Sequence, residues 1–310
     1  MTKMINDSGK IFLIIAGLLV WIFFSQPPIS KGAEKLRYLT SIYFDEKGLA
    51  LKQPEGAACS GESLLIVGDS GNGRLLKYSI KDRTIEAGTT EIKATQLYYP
   101  VKTEINSRGE IYTLDRKQRS IVRFSPAGEF RGDVQPVGIP SPTAYVPRSF
   151  TIDKNDNIYI LDILAERVLI LNSSGKYRGQ IRFPDHYGFF CDVAVDFRGT
   201  VLLVDGVDGI VFSAGKGSST FSALTGSLKE YVRFPASLTT DDRGRIYLVD
   251  RNGGRIIILG QDGSFLSRQS GMGWKEGSLN YPTQMCINDK GEIFVADTRN
   301  SRVQVFELVE

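Results

Sequence analysis

The sequence predicts an all-β chain: a six-bladed β-propeller closed by an N-terminal strand and preceded by one N-terminal hydrophobic helix. Two observations carry this. A unit of about 46 residues recurs from Gln53 to the C-terminus, and an unbroken apolar run, Ile11 to Phe24, stands ahead of it. Domain boundaries follow: 1–35 is a signal peptide or signal-anchor helix with a short linker, and 36–310 is the propeller.

The repeat has a tight register. A proline stands fifteen residues before an aspartate in five copies: Pro54 and Asp69, Pro100 and Asp115, Pro147 and Asp162, Pro235 and Asp250, Pro282 and Asp297. The remaining copy has Asp205 in place but Phe190 where proline is expected. Each unit reads as an apolar-rich strand after the proline, a polar turn often ending in glycine, and a second β-rich run that ends on the aspartate. A four-residue turn, a third apolar run and a weaker fourth strand complete it. Four antiparallel strands per unit of this length make a propeller blade. Blades stack face to face, which explains non-alternating runs such as Arg255–Leu259. Proline lacks a donor and suits the start of a strand.

The last copy ends after its third strand. The segment Leu36–Phe44 has no blade of its own, and is expected to supply the missing outer strand of the sixth blade and remove the open edges. The copy around Asp205 is expected to be the least regular.

At the N-terminus, Lys3 and Lys10 precede the apolar run and a polar, proline-bearing stretch follows, the three-part pattern of an export signal. The run is short for a span, but counting on to Ile29 lengthens it enough to cross a bilayer. The chain is therefore expected to be exported to the periplasmic or extracytoplasmic side, and held in the inner membrane through residues 11–29 if uncleaved.

The net charge is +3, and Lys3, Lys10 and Lys31 against Asp7 account for most of it. The near-neutral body gives no reason to expect nucleic acid, despite the basic cluster Arg116–Arg119. The cysteines, Cys59, Cys191 and Cys286, are odd in number and lack paired spacing, so they read as small buried hydrophobes.

The units resemble the NHL-repeat family of propellers over about Pro54 to Leu308. The resemblance rests on the opening proline, the D-x-x-G or N-x-x-G turn, and an aspartate followed five residues later by arginine: Asp69 with Arg74, Asp162 with Arg167, Asp250 with Arg255, and Asp297 with Arg302. The copy around Asp205 lacks the arginine, and the copy around Asp115 has Ser120 in its place. One such pair per blade is expected to be architectural.

Several six-bladed propellers of this kind are enzymes. Zinc-dependent lyase sites need several histidines, and His186 is the only one here. Lactonase-type propellers hold calcium in the central channel with oxygen ligands. Glu55, Glu104 and Asp192 come from three inner strands and are the candidates, while Lys102 and Arg148 at equivalent positions oppose a cation. Asp153–Asn157 has Ile158 and Leu164 where a calcium loop needs glycine and glutamate, and reads as a turn.

The longest insertions, 132–146, 183–189, 215–234 and 270–281, fall at the proline end of the blades. With Glu55, Lys102, Glu104, Arg148, Asp192 and Gln284 they form the expected binding face. The main expectation is a non-catalytic scaffold that binds protein partners in the cell envelope, with no cofactor, metal or catalytic residue. The alternative is a calcium-dependent hydrolase or lactonase with its metal in the channel.

Overall fold

The computed structural model describes residues 35–61, 63–81, 84–86 and 89–309. They form six sheets, each a blade of a six-bladed propeller. The inner strands are Gly56–Ser60, Pro100–Ile105, Pro147–Ile152, Phe190–Val195, Pro235–Thr240 and Pro282–Ile287, for blades one to six. In each blade a second strand ending on the repeated aspartate pairs antiparallel with the inner strand, and a third strand pairs with the second.

The outer strand of the sixth blade is Lys35–Ile42, antiparallel to Arg302–Val309 with Ile42 opposite Val303. The first and last parts of the propeller therefore share one sheet, and the ring of blades has no open seam. No single sheet closes on itself; each keeps its own edges, and closure belongs to the ring.

The expected hydrophobic helix falls on residues outside the described ones. Among the described residues the only helical pieces are two three-residue turns, Ser70–Asn72 and Thr298–Asn300, and no helix is long and apolar enough to cross a membrane. The described structure is all-β, so a membrane anchor and an extracytoplasmic location have no support in it and are withdrawn.

Apolar packing lies between blades. Tyr159, Leu161 and Val168 of the third blade meet Val193, Leu203 and Phe212 of the fourth, and similar clusters fill the other junctions. In the fourth blade Phe190 replaces the opening proline, yet it keeps the same register, opposite Asp205. Its ring stacks on Tyr187 at 4.8 Å and meets Phe183 and Phe212 edge-on. The inserted 183–189 loop thus packs on the ring that stands where the other blades have proline. The outer strand of this blade is only Ser222–Ala223.

Cys59 and Cys286 form a disulfide, with Cα atoms 5.8 Å apart across 227 residues. This corrects the reading of the cysteines as three unpaired hydrophobes. Spacing along the chain carries no sign of it, because the bond joins the inner strands of the first and last blades, which become neighbours only when the ring closes. Cys191 remains a buried thiol.

Candidate functional site

In blades two to six the residue that opens the inner strand sits beside a register shift, for example between Pro100 and Lys102 or Phe190 and Asp192, whereas the first blade pairs without one. Such a bulge lets neighbouring residues re-aim their side chains. The first, second and fourth residues after the proline line the axis in turn, so the channel is built in layers.

The first layer, at the proline end, is a small cavity of about 60 Å³ whose lining includes Glu55, Arg116, Arg148 and Arg251. Glu55 is buried, with Arg116 Nη2 at 2.5 Å and the Tyr99 hydroxyl donating to it at 3.0 Å. Burial, then the Glu55 charge, holds the Tyr99 phenol above its usual range.

The second layer is a plug. Asp192, buried, accepts from Lys102 Nζ at 3.1 and 3.0 Å, from the hydroxyls of Ser149 and Ser237, and from the backbone N–H groups of Val193 and Leu238. These partners come from blades two to five. Gln284 completes the layer: its Oε1 accepts from Ala57 N–H and Thr103 N–H, and its Nε2 donates to the Thr103 carbonyl. Burial alone would lower the Lys102 ammonium, but the Asp192 and Glu104 carboxylates outweigh it and hold it above the ordinary lysine value.

The third layer opens on the other side of the plug into a cavity of about 160 Å³, lined by Glu104, Thr151, Thr239 and the disulfide among others. Lys102 and Gln284 line both cavities and so stand between them. Glu104 Oε1 lies 3.4 Å from Lys102 Nζ. Burial pushes the Glu104 carboxyl up to about 7, against the pull of Lys102. A carboxyl that titrates near neutrality, facing a cavity, has the chemistry of a general acid or base.

The six residues expected on one binding face are therefore divided by depth. Glu55 and Arg148 are at the proline-end mouth, Lys102, Asp192 and Gln284 form the plug, and Glu104 faces the opposite cavity. Arg116, Arg251 and Tyr99 were not anticipated as channel residues. Their signal was positional: Arg116 and Arg251 each directly follow the repeated aspartate, at equivalent points of two blades.

Glu55, Glu104 and Asp192 do not fit a calcium ion. They lie in three different layers, and each is matched to a cation of the protein, Arg116 or Lys102. Among the described residues no group of three or more metal-ligating side chains converges. His186 is exposed on its loop. Asp153 caps its own turn, accepting from Asn155 N–H and Asn157 N–H.

The repeated aspartates do a structural job. Asp115 accepts from the N–H groups of Tyr98, Tyr99, Lys117 and Gln118, which ties the segment before the proline to the turn after the second strand. Asp205 does the same with Gly188, Phe189, Val207 and Asp208. The arginine five residues on adds an ion pair in three blades: Arg74 to Asp69 at 2.7 Å, Arg167 to Asp162 at 3.0 Å, and Arg302 to Asp297 at 2.7 Å. Asp250 instead accepts from the N–H groups of Arg233, Phe234 and Gly253, without a bond from Arg255.

The NHL repeat pattern matches residues 279–306, the sixth blade's inner three strands. NHL repeat-containing protein 3 from Homo sapiens is 38% identical over 76 residues, which is 24% of this chain and 22% of the relative. The Mus musculus protein is 37% identical over the same length. The chain matches less than a quarter of either relative. In three dimensions it is similar to a streptogramin B lyase, with a TM-score of 0.61 at 13% identity over 89% of this chain and 97% of the other. It is also similar to a gluconolactonase from Xanthomonas campestris, with a TM-score of 0.63 at 14% identity over 88% and 90%. The PQQ-bound aldose sugar dehydrogenase from Streptomyces coelicolor gives 0.61 at 13% over 89% and 98%. At these identities the likeness is one of fold. The fold is one that a lyase, a gluconolactonase and a dehydrogenase share, so the expectation of a non-catalytic interaction scaffold is withdrawn as the leading reading. The envelope protein partner has no support in the structure either and is withdrawn.

Proposed function

We propose that the protein is a propeller enzyme that hydrolyses a small lactone or ester without a metal, with Glu104 as general base. One observation carries this: Glu104, titrating near neutrality, faces a cavity of about 160 Å³ with the Lys102 ammonium 3.4 Å away. Ionised Glu104 takes a proton from water as the water oxygen attacks the substrate carbonyl. Negative charge then develops on the carbonyl oxygen, where Lys102 can stabilise it. As the tetrahedral intermediate collapses, the carbon–oxygen bond to the leaving alkoxide breaks and Glu104 returns the proton to it. The product of a lactone is a hydroxy acid. Thr151 and Thr239 supply hydroxyls for a polar, oxygen-rich substrate. The gluconolactonase among the similar folds supports the substrate class.

The repeat register supports reading all six blades as NHL-type units. We also take 36–310 as one domain and 1–35 as a separate leading segment.

Proton release from a panel of small lactones and aryl esters tests the reading. Wild-type protein should turn over at least one of them in the presence of a chelator, and Glu104→Gln should lose roughly 100-fold or more while unfolding no lower than wild type. No turnover above the uncatalysed rate, or full activity in Glu104→Gln, would sink it. Loss of activity on chelation would return the calcium alternative.

A further inference from the structure

The proline-end mouth is lined by four cationic side chains, Lys102, Arg116, Arg148 and Arg251, and two carboxylates, Glu55 and Asp192. Lys102 is matched by Asp192 and Arg116 by Glu55. Arg148 and Arg251 have no carboxylate partner among the described residues, so the mouth keeps a charge of about +2. The Nε atoms of both are buried and donate to nothing. Each guanidinium instead lies against an aromatic ring, Arg148 at 5.2 Å from the Phe189 centroid and Arg251 at 5.9 Å from that of Tyr281. Stacking of this kind orients the planar fork; Arg148 also lies beside the Cys191 thiol, and the remaining donors of the two guanidiniums are left for a ligand.

A buried donor without an acceptor is costly, and two beside one cavity call for an acceptor that arrives from outside. The cavity, about 60 Å³, is small and suits a compact ion. A single carboxylate leaves half the charge unmatched, whereas a compact dianion matches it within one small group. We infer that the mouth binds a tetrahedral dianion, either inorganic phosphate or the phosphoryl group of a larger ligand. Guanidinium forks match phosphate oxygens in pairs, and a phosphoryl group carries roughly −1.5 to −2 at neutral pH. The mouth binds this ion whether or not the cavity beyond the plug hydrolyses lactones.

Calorimetric titration of the full chain with inorganic phosphate, and separately with glycerol phosphate, at constant ionic strength in chloride, tests the site. Saturable binding of one equivalent is expected. Arg251→Met should weaken it at least about tenfold, and Arg148→Met with Arg251→Met should abolish it. Arg251→Lys should retain part of the affinity, and Glu55→Gln, which removes a negative charge from the mouth, should tighten it. Tighter binding of the monoester identifies a phosphorylated ligand, and equal or weaker binding identifies the free ion. Without phosphate the methionine variants should unfold no lower than wild type, since they relieve like-charge crowding, so lost binding is separable from lost folding. Absence of saturable binding at millimolar phosphate, or unchanged binding in the double variant, would overturn the site.

Discussion

Lys102 Nζ, on the inner strand of the second blade, lies 3.0 Å from Asp192 Oδ2 on the inner strand of the fourth, 90 residues away. The pair crosses the axis of the ring, and four further donors saturate the carboxylate. Breaking a buried pair from one side strands the other charge. Lys102→Met should therefore cost about 3–5 kcal/mol, and adding Asp192→Asn should recover much of it. Urea unfolding of the two variants decides the matter: equal losses would mean that the pair is not coupled.

Glu104 adds a pH dependence whose sign follows from its environment. Burial raises its carboxyl from the ordinary value of 4.5 to about 7 in the folded chain. Its neutral form is favoured by folding, so the contribution is fully present below pH 4.5 and is lost as pH rises through about 7. Glu104→Gln should remove this fall and stabilise the protein above neutrality, by an amount on the order of 3 kcal/mol. Thermal midpoints of both proteins across that pH range supply the check.

The Cys59–Cys286 bond joins the inner strands of the first and last blades across 227 residues. Chain-entropy reasoning gives up to about 5 kcal/mol for so long a loop. Reductant should lower the unfolding midpoint of the wild type, and Cys59→Ser with Cys286→Ser should start low and ignore reductant. A reductant effect that persists in the double variant would exclude this bond as its source.

Asp205 holds four backbone N–H groups with no arginine to share the load. Asp205→Ala should cost several kcal/mol, at about 1–3 kcal/mol for each buried donor left bare. Asp205→Asn keeps an acceptor oxygen and should cost less. Equal stability of the two would show that the turn does not depend on the carboxylate's bonds.

Removal of residues 35–42 exposes the edge of Arg302–Val309 and deletes the Tyr38 ring that packs on Phe306. The truncated chain should lose its cooperative unfolding transition, and calorimetry would reveal a retained one.

The blades were legible because their signals are local. A proline opening a strand, an Asp or Asn capping a tight turn, and an aspartate at strand end each act within a few residues, and the repeat prints them again and again. The strand that completes the last blade was legible by elimination, as the β-rich segment without a unit of its own. Six channel residues were legible as positions on or just before the inner strands, but the sequence placed them all on one face, and only the closed ring separated Glu104 from Lys102, Asp192 and Gln284 by depth. The partnerships were decided only when the ring closed. Whether Lys102 meets Asp192 or a metal ion does, whether Cys59 reaches Cys286, and whether Arg255 bonds Asp250 as Arg74 bonds Asp69 depend on side chains from different blades or turns arriving within a few ångströms. The sequence alone determined six antiparallel β units and their order. Tertiary structure decided that their axis holds an ion-paired plug, with an arginine mouth on one side and a near-neutral carboxyl on the other, because electrostatic pairing depends on distance through space rather than along the chain.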